Sequence, residues 1–156
     1  MRHFSLTYLL SSLMIAGLMG CETVTEKRSA SSERPQSSVD SLAPRELNDG
    51  ECGLFIWAGE ARHFILFVQT GTGAILAREG QEIPLSVQST SQDADLYGQD
   101  PVQSFTDPDG KVYALNLSRA EAIDGGIRYG QGTWRYKDEQ GWDVLTPVYG
   151  LSSCRE

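Results

Sequence analysis

Histidine is nearly missing from the 156 residues: there are two, His3 and His63. Zinc sites draw three or four ligands from His, Cys and acids, and the cysteines number only three. The sequence therefore lacks the ligands for a zinc enzyme. A Ser–His–acid site in the folded part would have to use His63, which heads the apolar run Phe64 to Val68 and is equally at home as a strand-edge residue. Basic residues are also scarce. Lys and Arg total 13 against 21 acids, a formal charge of −8, and they form no cluster. Such a chain repels phosphates and anionic headgroups, which speaks against nucleic-acid binding. Absent too is any uninterrupted apolar run long enough to span a bilayer, which takes about 20 residues. The longest candidate, Phe4 to Leu18, is broken by Thr7, Ser11 and Ser12. No internal repeat is present.

The N-terminus does have a pattern. Arg2 precedes the apolar stretch, and a small residue, Gly20, stands before Cys21. A positive start, a short apolar core and a small residue at a cleavage point make a secretory signal over residues 1–20. The segment Leu18-Met19-Gly20-Cys21 resembles the lipobox of bacterial lipoproteins, with a residue at Met19 that is larger than usual. The resemblance implies cleavage before Cys21, acylation of its thiol and amine, and anchoring to a membrane. Several acyl chains make physical sense, because one chain alone binds only marginally. Glu22 stands where an Asp would resemble an inner-membrane retention signal, which points to the periplasmic face of the outer membrane. Removing residues 1–20 takes away Arg2 and no acid, shifting the charge to −9.

With Cys21 acylated, Cys52 and Cys154 remain in a chain bound for an oxidising compartment, where a disulfide between them is expected. Closing a loop of that length stabilises by roughly 4–5 kcal/mol at most. Residues 21–51 read as the lipidated cysteine and a flexible tether: Ser-, Glu- and Arg-rich after Cys21, with Pro35 and Pro44 and no aromatic residue. As a coil this tether would span roughly 30 Å.

Residues 52–154 read as one all-β domain. Short runs with strand composition recur between turn residues: Cys52 to Ala58, His63 to Gln69, Ala74 to Arg78, and an alternating stretch with Ile83, Leu85 and Val87 on one face. Pro84 lacks a ladder donor, so one side of that strand should be unpaired or bulged. Val102 to Thr106 and Lys111 to Leu117 are joined by Asp107-Pro108-Asp109-Gly110, which suits a type I turn with a bulge. Ser118-Arg119-Ala120-Glu121 has the spacing of a capping box, predicting a helical turn ended by Gly125-Gly126. Ile127 to Lys137 changes parity across Gly130 and Gly132, where a bulge would fit. Trp142 to Leu151 closes the domain. About eight short strands predict a small antiparallel meander, a closed barrel or a sandwich, and a Cys52–Cys154 bridge would favour closure.

No catalytic, cofactor or metal site emerges. Asp107 and Asp109 are explained as turn residues without a calcium ion, and Asp93, Asp95 and Asp100 as solvated loop acids. Gly71-x-Gly73 and Gly130-x-Gly132 lack the strand-to-helix setting of a phosphate loop. Paired carboxylates such as Asp138-Glu139 have nothing to place them across a pocket. Trp57 and Tyr113 are expected in the core. Trp134 and Trp142 flank the Asp138-to-Gly141 turn and are the pair expected to be partly exposed as a binding surface. The leading functional expectation is a non-enzymatic, membrane-anchored module that binds a protein or envelope component and no cofactor. In layout the chain resembles the small lipoproteins that inhibit lysozymes, which combine a lipobox, an eight-stranded barrel and a disulfide. Gly110-Lys111-Val112-Tyr113 is similar to their Gly-x-x-Tyr element, with Asp109 in place of a Ser. The alternative is a barrel carrying a small apolar ligand in a cavity lined by Phe64, Leu66, Leu115 and Trp134.

Overall fold

The computed structural model describes residues 40–59, 62–90 and 93–156. Cys21 and the signal segment lie outside the described residues. Eight strands follow in order: β1 (Cys52–Ala58), β2 (His63–Gln69), β3 (Gly73–Arg78), β4 (Gln81–Thr90), β5 (Val102–Thr106), β6 (Val112–Ile123), β7 (Gly126–Lys137) and β8 (Asp143–Cys154). Each pairs antiparallel with the next, and β8 returns to β1, so the meander is a closed barrel and not a sandwich. Closure removes the sheet edges along the paired stretches, the hazard of an open β-sheet. Cys52 and Cys154 face each other in the closing ladder and are bonded.

Alternation decides what lies inside. Leu54, Ile56, Leu66, Val68, Leu76, Leu85, Phe105, Tyr113, Leu115, Leu117, Trp134 and Val148 belong to one buried cluster inside the barrel. An eight-stranded barrel is just wide enough for such side chains. The expected bulge is present: the β7–β8 register shifts between Tyr129 and Gly132, and this brings both Tyr129 and Trp134 inward. Pro84 pairs only with Ile75 of β3, while β5 takes up the ladder from Ser86 onward, with a shift after Val87.

Two expectations are corrected. The helical turn at Ser118 does not form, because β6 continues as strand to Ile123. The Ser118 hydroxyl donates across the hairpin to the Gln131 carbonyl, and Glu121 pairs with Arg128 on the opposite strand. Both side chains of the would-be capping box are thereby committed to cross-strand contacts. The second correction concerns residues 40–51, which are a strap and not a free tether. Leu42 is 5% exposed and its amide donates to the Phe64 carbonyl. Leu42, Phe64, Phe67 and Ala77 make a second cluster outside the barrel, with Leu47, Phe55, Trp57 and Ile75 against it. Arg45 bonds Glu82 at 2.6 Å and lies over the Phe67 ring, and Asp40 accepts the Gly80 amide. Gly53 permits this packing, since a Cβ there would stand 2.6 Å from the Phe67 ring. The folded unit thus starts before Cys52, and Trp57, expected in the core, is half-buried against the outer cluster and not part of the lumen.

Candidate functional site

At one end of the barrel the β5–β6 and β7–β8 turns share one design. In each, an aspartate opens the turn and a glycine at positive φ closes it: Asp107 with Gly110, and Asp138 with Gly141. The Asp107 carboxylate accepts the amides of Asp109 and Lys111, and the Asp138 carboxylate those of Gln140 and Trp142. The carboxylates replace missing backbone partners and hold both turns rigidly. Asp107 therefore serves the hairpin, as expected.

Behind the first turn lies a buried polar network. Asp107, whose side chain is fully buried, accepts from Arg78 at 2.7 Å and from the Tyr113 hydroxyl at 3.1 Å. Arg78 also donates to the Tyr113 oxygen at 2.7 Å. Burial alone would raise the Asp107 pKa, but the Lys111 amide, Arg78 and Tyr113 outweigh it and hold the carboxyl below its ordinary value. Burial pushes the Tyr113 hydroxyl up to about 12. The Tyr113 ring stacks on Trp134 at 5.2 Å, and Lys111 sits 4.5 Å from the centre of the Tyr136 ring. The rim is thus fixed from beneath.

The two tryptophans part company here. Trp134 is 3% exposed and faces the lumen between Phe105 and Tyr113, so its expected place on a binding surface is overturned. The cause is parity, because Leu115, Trp134 and Thr146 lie in register and share the inward row. Trp142 is 74% exposed on its rigid turn. Beside it the outward row places Ala114, Arg135 and Leu145 in register, with Leu145 60% exposed. One step nearer the rim stand Val112, Lys137 and Asp143. Val112, Ala114, Arg135, Lys137 and Asp143, with Asp138 and Glu139 of the turn, border a shallow depression of about 460 Å3 on the outside of β6 and β7. Among the described residues Arg135 forms no ion pair, while Lys137 lies 3.5 Å from Asp143. Arg135 went unmarked in the sequence because its outward direction depends on the β7 bulge.

At the other end a loop closes the barrel. Tyr129 donates to Asp95, whose other oxygen accepts the amides of Tyr97 and Gln99. Burial, with the Asp95 charge, raises the Tyr129 pKa. Asp100 is 4% exposed and caps the Val102 amide, so Asp95 and Asp100 are structural acids and not solvated ones. His63 opens β2 opposite Ala58, and no hydrogen bond joins it to a serine or a carboxylate among the described residues. Of the residues expected to line an apolar cavity, Leu66, Leu115 and Trp134 are packed in the core and Phe64 points outside.

These features define an antiparallel eight-stranded barrel with an apolar interior, a disulfide at its seam and an exposed tryptophan on one turn. Comparison with family models, curated proteins and solved structures returns no match.

Proposed function

We propose that this protein is an exported, lipid-anchored binding module that acts by engaging a protein partner and not by catalysis. Residues 1–20 direct export, Cys21 carries the acyl chains at the periplasmic face of the outer membrane, and the barrel presents the outer face of β6 to β8. The observation that carries this is Trp142, a large aromatic side chain left 74% exposed on a turn whose Asp138, Gln140, Gly141 and Trp142 amides are all bonded. Exposed Trp and Arg in an apolar setting are the residue types that dominate binding energy. The buried cluster occupies the middle of the lumen, so a carried ligand would have to enter the pockets at the barrel ends, of about 270 and 540 Å3, whereas the exposed Trp142 needs no such entry.

The charge pattern narrows the partner. The acidic chain draws a basic protein from a distance, whereas Arg135, with no ion pair among the described residues, suits a carboxylate at contact range. A basic glycan hydrolase satisfies both, through its surface charge and its paired catalytic acids. That agrees with the inhibitor-like layout of the sequence. To test it, a photo-crosslinking residue is placed at 142 or 145 and, as a control, at 87 in cells of the native host. The expected outcome is one discrete crosslinked protein from 142 and 145 and none from 87. Equal crosslinking from all three positions would reject the site. The purified protein should also inhibit a basic muramidase, and Trp142→Ala should relieve that inhibition; no inhibition by the wild type rejects the hydrolase partner while leaving the crosslinking result to judge the binding module.

A further inference from the structure

Outside β1 and β2 the strap leaves an open groove of about 520 Å3. Phe55, Trp57, Phe64 and Leu151 form its floor, and Leu42 and Pro44 line one side. Arg45, Arg62 and Ser41 complete the lining, with no carboxylate among the lining residues. In a chain of 21 acids and 13 basic residues, that is a strongly biased selection.

The two arginines are not equivalent. Arg45 is committed to Glu82 at 2.6 Å. Arg62 forms no ion pair among the described residues, and its guanidinium rests 5.8 Å from the centre of the Tyr149 ring. That ring stacks on Trp57, with centres 6.2 Å apart and planes 9° from parallel, so the free cation stands beside the aromatic floor. Arg62 also holds a left-handed backbone, φ 56°, which a non-glycine residue adopts at a cost. An apolar trough beside a cation that has no ion pair among the described residues has the makeup of a small-ligand site, mostly hydrophobic with few polar groups. A guanidinium suits a carboxylate because it can donate two parallel bonds.

We propose that this groove binds a free single-chain fatty carboxylate, with the head on Arg62 and the alkyl tail over Trp57, Phe55 and Phe64. The site takes Leu151 from β8 but uses none of Trp142, Arg135 or Leu145, so it stands or falls separately from the partner-binding surface.

Calorimetric titration of the full-length chain carrying Cys21→Ser tests this, because no acyl group on the chain then competes. With dodecanoate below its micelle concentration, one site per chain is expected, and decanoate should bind about fifteenfold more weakly for its two missing methylenes. Arg62→Gln, at an exposed position, should weaken dodecanoate about tenfold, the worth of one charge-assisted pair. Arg119→Gln, on β6, should leave it unchanged. Dodecyltrimethylammonium, with the same tail and opposite charge, should not bind. Absence of dodecanoate binding, equal binding of the cationic amphiphile, or undiminished binding by Arg62→Gln would each overturn the assignment. Binding to phosphatidylglycerol vesicles without binding to dodecanoate would assign the surface to a bilayer and also overturn it.

Discussion

Replacing Asp107 should be among the most damaging single changes in the barrel, and the damage should shrink in acid. Its carboxylate is fully buried and accepts four bonds: from the amides of Asp109 and Lys111, from Arg78, and from Tyr113. Asp107→Ala removes all four. Breaking a buried pair by deleting one partner costs about 3–5 kcal/mol. Arg78 remains 27% exposed and recovers water, which places the expected loss near the lower end, at about 3 kcal/mol. Asp107→Asn keeps an oxygen for the two turn amides but gives up the charge-assisted bond to Arg78, for about 2 kcal/mol. The pH dependence follows from the lowered carboxyl pKa, in which burial is outweighed by the Lys111 amide, Arg78 and Tyr113. A group with a folded pKa below its unfolded one stabilises the protein above the unfolded value, about 3.9 for Asp, and loses that contribution as pH falls through the folded value. Urea unfolding of wild type and Asp107→Asn at pH 7 and at about pH 2.5 measures the difference. The gap should be about 2 kcal/mol at pH 7 and should shrink in acid. A gap below about 0.5 kcal/mol at pH 7, or one that does not change with pH, would refute the network's role.

Other substitutions separate core, strap and rim. Trp134→Ala should cost about 3–5 kcal/mol in urea unfolding, because it empties the space between Phe105 and Tyr113. Trp142→Ala should change stability by less than about 0.5 kcal/mol while abolishing partner crosslinking, since its ring touches little of the fold. Leu42→Ala should cost about 2–3 kcal/mol and raise proteolysis of residues 40–51, as the strap loses its buried anchor. Reducing the Cys52–Cys154 bond should lower stability by up to about 4–5 kcal/mol, seen as a lower unfolding midpoint in thiol reductant.

Where composition and turn chemistry act locally, the sequence was readable. Asp107-Pro108-Asp109-Gly110 specifies its own turn, and alternation along Tyr113, Leu115 and Leu117 shows the inner face of β6 directly. The bulge at Gly130 and Gly132 was also legible, as a break in parity. Its consequence was not. Whether Trp134 points in or out depends on where the phase shift falls and on which neighbours align with it, and both are properties of the closed sheet. The strap misled for a different reason. Residues 40–51 carry only Leu42 and Leu47 as large apolar side chains, too few to suggest order on their own. They become ordered because Phe55, Phe64 and Phe67 point outward and need cover. A local capping motif likewise lost to long-range pairing at Ser118, where the ladder to β7 offered the side chain a better partner.

The central claim is that a bridged barrel hangs from a membrane by acyl chains on Cys21. Intact mass and peptide mapping of the protein purified from its native membrane tests it most directly. The N-terminal peptide should begin at Cys21 and carry a diacylglyceryl group, and Cys52 and Cys154 should be recovered in one disulfide-linked pair of peptides. A chain that still begins at Met1, or a Cys21 found as a free thiol or bridged to either other cysteine, would contradict it.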